Sequence, residues 1–214
     1  SCMSPDLPYY FDPKKYPQFK DGRDFSKDKA LAALKGSKYE GGKNWPAVKL
    51  SYRQEGDIPK TAAQFIQRQL QQNLNMNVEL DEQEQNTFRD SMYNRKLQFI
   101  FIRWYMDYPD PNDIYKLVFY GKTTSGKRQA WSNDDYDALA DQAASEIDPD
   151  KRFQLYLKAE QMLMDDGVYA PLWYGYAYDL FKPTVGGIPK TKAGVPQPAW
   201  NIFIDDARTI YKKK

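Results

Sequence analysis

The order of apolar patterns along this chain predicts an α/β fold with parallel pairing in at least part of its sheet. Three observations carry that expectation. Residues 48–54 alternate Val48, Leu50 and Tyr52 against Lys49, Ser51 and Arg53, the period-two pattern of a half-buried strand. Residues 97–106 read Leu-Gln-Phe-Ile-Phe-Ile-Arg-Trp-Tyr-Met, aromatic and β-branched, as a mostly buried strand. Between them lie two helical patterns and a short strand at 78–80. Strands joined through helices need crossover connections, and crossovers pair strands in parallel.

The elements follow in order. Residues 1–25 carry Pro5, Pro8, Pro13 and Pro17 among Tyr9, Tyr10 and Tyr16, and read as an extended, docked entry segment. Ser26 caps a helix over 27–34, with Ala30, Leu31 and Leu34 on one face and Gly36 as its stop. After the 48–54 strand, Asp57 caps a helix over 58–75 with Pro59 in its first turn. Ala62, Phe65, Ile66, Gln69, Leu70 and Leu74 fall on its apolar face. A helix over 82–94 places Phe88 and Met92 inward. Residues 112–120 form a short helix or an irregular aromatic stretch.

Residues 121–128 resemble a phosphate loop only superficially. Arg128 stands where that motif needs Ser or Thr, and no apolar strand leads into it, so a flexible surface loop is expected. Asn133 caps a helix over 134–146, with Tyr136, Leu139 and Ala143 on one face. Asp148-Pro149 opens another helix, followed by Phe153, Tyr156, Leu157, Glu160 and Met164 and ended at Gly167. Residues 170–181, with Trp173, Tyr174, Tyr176, Tyr178 and Phe181, read as one or two strands. A long connection over 183–198 precedes short strand candidates at 200–204 and 209–211.

Composition excludes several classes of function. The 31 basic and 29 acidic residues nearly cancel, so the clustered positive charge that nucleic-acid binding needs is missing. Lys212, Lys213 and Lys214 form a basic run that a solvated tail explains. Histidine is absent, which removes the most used general base and the commonest metal ligand. No nucleophile–base pair, metal cluster or cofactor is expected. The one cysteine, Cys2, precedes any structural pattern and permits no intrachain disulfide. No apolar run reaches the roughly 18 to 20 residues of a membrane span.

The chemistry concentrates at residues 103–111, Arg-Trp-Tyr-Met-Asp-Tyr-Pro-Asp-Pro. Pro109 and Pro111 cannot donate to a sheet ladder, so the strand stops before them. Asp107 therefore falls where a rigid strand becomes a loop, a common place for ligand contacts in open α/β sheets. A plain turn is the competing reading, with Asp107 and Asp110 solvated or capping the next helix. The two carboxylates could also form an acid/base pair, the basis of a carboxylate-dependent hydrolase as an alternative function. Trp104 lines a cleft or packs as core, and strand alternation leaves Arg103 facing either way.

Several stretches together resemble the family 5 extracellular solute-binding proteins, the oligopeptide- and dipeptide-binding components of ABC importers. Residues 104–111 resemble that family's Trp-x-x-Asp-Tyr-x-x-Pro block. Residues 148–152, then Leu155-Tyr156 and residues 159–163, resemble its Arg-x-x-Leu-Tyr-x-x-Ala-Glu helix. Residues 170–173 and Val185-Gly186-Gly187 resemble the strand and turn after it. Phe11-Asp12-Pro13, or residues 25–30, with Gly41-Gly42-Lys43, resemble the entry into that lobe.

The resemblance implies a periplasmic-binding-protein-like (type II) lobe, a mixed sheet flanked by helices, over residues 26–183. Residues 1–25 would enter it and residues 184–214 would return from it. It implies an extracytoplasmic receptor, periplasmic or anchored at the cell surface, that closes about a hinge and delivers its ligand to a membrane permease. Asp107 would pair with a peptide's α-ammonium, and the peptide main chain would pair as an added strand. Arg103, Trp104, Tyr105 and Tyr108 would contribute to the same site. The N-terminal lobe would hold the rest, so this chain alone is expected to bind peptide weakly or not at all. Other members of the family take oligosaccharides, opines or metal chelates.

Overall fold

A computed structural model of the chain describes residues 2–5, 7, 9–19, 25–123, 126–175, 180–190 and 210–212. It comprises two units, Ser1–Pro171 and Leu172–Lys214. The centre of the first is a parallel sheet of β1 (Val48–Arg53), β2 (Val78–Gln83) and β3 (Phe99–Phe101), in the order β2-β1-β3. Val48 pairs with Val78 at one end of the β1–β2 ladder and Arg53 with Gln83 at the other; Leu50 to Tyr52 pair with Phe99 to Phe101. The crossovers are α2 (Asp57–Leu74) and α3 (Gln85–Tyr93), while α1 (Lys27–Leu34) precedes β1. The parallel topology expected from the element order is present.

β1 is central, and that changes its burial. Val48, Leu50 and Tyr52 pack with Ala62, Ala63, Val78 and Phe101. Ser51, on the opposite face, is buried as well, and its hydroxyl donates to Asp81 Oδ2 at 2.7 Å. The strand is thus covered on both faces around Ser51 rather than half-buried, because a strand between two others in a helix-flanked sheet has little face left for water. Full burial of a side chain such as Leu50 contributes about 1.5–3 kcal/mol.

Other expectations need correction. β3 ends at Phe101, five residues short of the expected strand, because only Leu50 to Tyr52 offer it a ladder. Gly56, not Asp57, is the residue before α2; its φ of 73° turns the chain into the helix, and Asp57 begins the first turn. Leu31 and Phe65 lie exposed, so the apolar stripes of α1 and α2 are narrower than their spacing suggests. The described parts of 170–181 carry no strand; aromatic content gives β-structure only where a partner supplies a ladder. Residues 200–204 lie outside the described residues.

The remaining helices, α4 (Asn112–Tyr115), α5 (Asp134–Ser145) and α6 (Pro149–Asp165), build a second core. Tyr115, Tyr136, Ala140, Ala143, Tyr156, Ala159 and Leu163 meet there. Caps fix where α5 and α6 start. Asn133 accepts from the amides of Asp135 and Tyr136, and Asp148 from those of Asp150 and Lys151. The start of the chain packs on this core: Met3 is buried, Cys2 is partly covered, and Phe11 and Phe19 close on Leu157. Cys2 therefore belongs to the packed structure, and burial pushes its thiol pKa well up. In the second unit, β4 (Val185–Gly186) pairs antiparallel with β5 (Tyr211–Lys212). Among the described residues no helix is long and apolar enough to cross a membrane.

Candidate functional site

The segment after β3 is held by one buried carboxylate. Asp113, on α4, is fully buried. Its Oδ1 accepts from Trp104 Nε1 at 2.6 Å and its Oδ2 from the Asp107 amide at 2.9 Å. Both ends of the Trp-x-x-Asp block are thus pinned to one side chain. An ionised acceptor makes such bonds about twice as strong as neutral ones. The Asp107 carboxylate itself is exposed and, among the described residues, takes no hydrogen bond or ion pair.

Asp110 has a different task. Its carboxylate receives Arg152 Nη1 and Nη2, each at 2.8 Å, and Oδ1 also accepts from the Asn112 amide. The Arg152 guanidinium lies over the rings of Tyr9 and Tyr156, and its Nε donates to the Ala143 carbonyl. The Asp110 bonds drive the Arg152 pKa further up. Burial pushes the Tyr156 phenol up to about 12, against the opposing pull of Arg152. Asp110 is therefore committed to a fork-to-fork ion pair and is not a free acid/base partner for Asp107. Arg152 and Tyr156, from the Arg-x-x-Leu-Tyr stretch, tie α6 to the acidic turn. Glu160, from the same stretch, is buried and accepts from Tyr115 at 2.7 Å and Tyr169 at 2.6 Å.

The other candidate residues spread along the same segment. Arg103 Nη2 meets Glu55 Oε2 at 2.9 Å, and Arg53 shares that carboxylate. The two guanidinium groups hold the Glu55 pKa below its usual value, Arg53 the stronger. Tyr105 is the most exposed of the group, with the Arg103 guanidinium 5.9 Å from its ring centre. The Tyr108 hydroxyl accepts from Asn112 Nδ2 at 3.1 Å. Trp104 is more than one-third exposed, and the Arg128 guanidinium lies 4.6 Å over its ring.

Arg128 corrects the expectation of a flexible surface loop. It is only 6% exposed, on a 3-10 turn over Gly126–Gln129. Gly126 sits so tightly that a Cβ there would come within 1.6 Å of the Tyr120 carbonyl oxygen. Beyond the carboxyl ends of β1 and β3, where open α/β sheets place their ligands, a cavity of about 200 Å³ opens between this turn and α3. Trp104 and Arg128 line it together with Arg53, Glu55 and Phe88. Sequence reasoning missed both Asp113 and Arg128. A carboxylate at the second helical position after Pro111 was a usable signal for Asp113; nothing local marks Arg128 as buried. Among the described residues no group of three or more His, Cys, Asp or Glu side chains is placed to hold a metal ion.

Comparison with known proteins fits this arrangement. The dipeptide-binding protein DppE of Bacillus subtilis is 31% identical over 191 residues, 84% of this chain and 35% of DppE. The periplasmic oligopeptide-binding protein OppA of Salmonella typhimurium is 29% identical over 61% of this chain and 24% of its own length. Among solved structures, the murein tripeptide-binding protein MppA of Escherichia coli matches 99% of this chain at a TM-score of 0.69 and 27% identity. This chain spans about 39% of MppA. It thus spans between about a quarter and two fifths of these relatives' length. The family of bacterial extracellular solute-binding proteins, family 5, matches residues 1–126, which include the acidic turn and its Asp113 anchor. On that match the chain belongs to the bacterial extracellular solute-binding proteins, family 5, a family of solute-binding proteins rather than of enzymes.

Proposed function

We propose that this chain forms one ligand-binding lobe of an extracytoplasmic receptor that captures short peptides for an ABC-type importer. The observation that carries the reading is the contrast at Asp107. Its amide is fixed on buried Asp113, which also holds the Trp104 indole, while its carboxylate is exposed and takes no partner among the described residues. A carboxylate so placed can take a peptide's α-ammonium in a charge-assisted bond. β3 pairs with β1, and among the described residues nothing pairs with its other edge, the kind of edge that can take a peptide as an added strand. That mode reads the peptide main chain and tolerates varied side chains. Membership of the family and the peptide ligands in the names of DppE, OppA and MppA support it. The second lobe, which closes over the ligand, is supplied by sequence corresponding to the remainder of those relatives, and the partner of the loaded receptor is a membrane permease.

A thermal-melt series tests the reading. Di- to pentapeptides at millimolar concentration should raise the melting point of the full-length protein, since a ligand that binds only the folded state stabilises it by mass action. At a hundredfold excess over Kd the gain is about 2.7 kcal/mol. The rise should vanish in Asp107→Ala and be small for the 214-residue chain alone. Absence of any rise in the full-length protein refutes peptide capture.

A further inference from the structure

We infer that Tyr9, on the entry segment, is a positioning residue for the Asp107 site: it fixes Arg152, and through Arg152 the turn that carries Asp107. The inference rests on the peptide reading above for what Asp107 binds, but the contacts that carry it stand apart from that reading. Tyr9 has a φ of 62°, in the left-handed region that glycine enters freely and an aromatic residue rarely. It stands in a turn closed by the Tyr10 amide, which donates to the Leu7 carbonyl at 3.3 Å. Glycine or asparagine is the usual residue where a turn needs positive φ. A bulky side chain kept in a disfavoured backbone conformation points to a task for that side chain.

The task is to complete the surroundings of one guanidinium. The Arg152 cation lies 5.1 Å from the Tyr9 ring centre and 5.3 Å from that of Tyr156, and the two rings meet edge to face at 6.0 Å. A guanidinium has five N–H donors. In Arg152, Nε donates to the Ala143 carbonyl, Nη1 to Asp110 Oδ2 and the Tyr9 hydroxyl, and Nη2 to Asp110 Oδ1 and the Tyr156 hydroxyl. Every donor therefore has an acceptor, and the fork is held in one orientation. The bond to Tyr9 is the longest of the set, 3.4 Å, so the ring contributes more than the hydroxyl. Asp110 passes the constraint on. Its Oδ1 also accepts from the Asn112 amide at 2.9 Å, its amide donates to the Tyr108 carbonyl at 2.8 Å, and its carbonyl accepts from the Asp113 amide at 3.0 Å. Asp113 in turn holds the Asp107 amide and the Trp104 indole. An unbroken series of contacts thus runs from the entry segment to Asp107, and a change at one end is measurable at the other.

Amide hydrogen exchange and calorimetry on the full-length protein test the inference. Tyr9→Gly removes the side chain and leaves a residue that suits the turn; Tyr9→Phe keeps the ring. Tyr9→Gly should speed exchange at the Asp107 and Asp113 amides tenfold or more, while the Leu50 amide in β1 keeps its rate. It should also weaken trialanine binding severalfold, and Tyr9→Phe should restore most of both. In an Arg152→Lys background Tyr9→Gly should add little, because its effect runs through the guanidinium. Unchanged exchange at Asp107 and Asp113 overturns the inference, as does acceleration of the Leu50 amide by the same factor. Trialanine affinity equal to the parent's also overturns it, as does a Tyr9→Gly effect undiminished by Arg152→Lys. Tyr9→Leu replaces Tyr9→Gly, with the same expectations, if the glycine variant does not fold. If trialanine does not bind the parent protein, the peptide reading fails alone, and the exchange rates decide whether Tyr9 positions the turn.

Discussion

Asp113 is the point at which the architecture of the site can be broken without touching the ligand. Its buried carboxylate receives the Trp104 indole N–H at 2.6 Å and the Asp107 amide at 2.9 Å. Hydrogen bonds to a charged group contribute about 1.5–3 kcal/mol each. Asp113→Asn keeps one acceptor oxygen and turns an NH2 group towards the second donor, so it should lose one bond, about 1.5–3 kcal/mol of stability. Asp113→Ala removes both acceptors and opens a small void, and should cost about 3–5 kcal/mol. Urea denaturation followed by tryptophan fluorescence measures both, with exposed Asp90→Asn as the control. The Trp104 contribution to the emission should also shift red, since the indole is released from its anchor. Ligand affinity should fall with stability, because Asp107 loses its fixed backbone. An Asp113→Ala midpoint equal to that of the control would refute this account of how the turn is held.

Three further outcomes follow from the same contacts. Arg152→Met should destabilise the chain by about 1–3 kcal/mol, between the values for exposed and buried ion pairs, and loosen the acidic turn in amide exchange. Arg152→Lys should recover only part of this, since an ammonium cannot reproduce the fork onto Asp110. Gly126→Ala should cost about 1–3 kcal/mol in the same urea assay, because its Cβ meets the Tyr120 carbonyl, and should displace Arg128 from Trp104. Glu55 has a folded pKa below its unfolded value, near 4.5, because Arg53 and Arg103 favour the charged form. Its stabilising contribution is therefore complete above that unfolded value and lost as pH falls through the lower folded one. Acid titrations of Glu55→Gln should show a shallower loss of stability below pH 4.5 than the parent; identical acid limbs would refute the pairing.

How much of this was legible in the sequence depends on how local the cause is. Asn133 and Asp148 announce the starts of α5 and α6 because a cap lies within three residues of the amides it serves. The parallel sheet was legible because crossovers leave no other pairing. The end of β3 was not, since it is set by how much of β1 is available across the ladder. Aromatic residues at 170–175 suggested a strand for the same reason: propensity is visible, a partner is not. Within the site, residues 103–108 were marked by the turn that follows them, but their roles diverge for tertiary reasons. Arg103 finds Glu55, forty-eight positions earlier, and Trp104 finds Asp113. Arg128 looked like a solvated loop residue in a polar stretch. Tertiary contacts bury it: the close Tyr120–Gly126 approach, the packing on Trp104 and a hydrogen bond with Tyr93.

The most direct test of the central claim is a calorimetric double-mutant cycle on the full-length protein, pairing Asp107→Asn with N-acetylation of one tripeptide. If Asp107 holds the α-ammonium, either change alone should weaken binding by about tenfold to a hundredfold, the equivalent of about 1.5–3 kcal/mol. The two together should cost little more than one, because both remove the same contact. Independent, additive losses, or tight binding of the acetylated peptide to the parent protein, would contradict the assignment of Asp107 as the ammonium site.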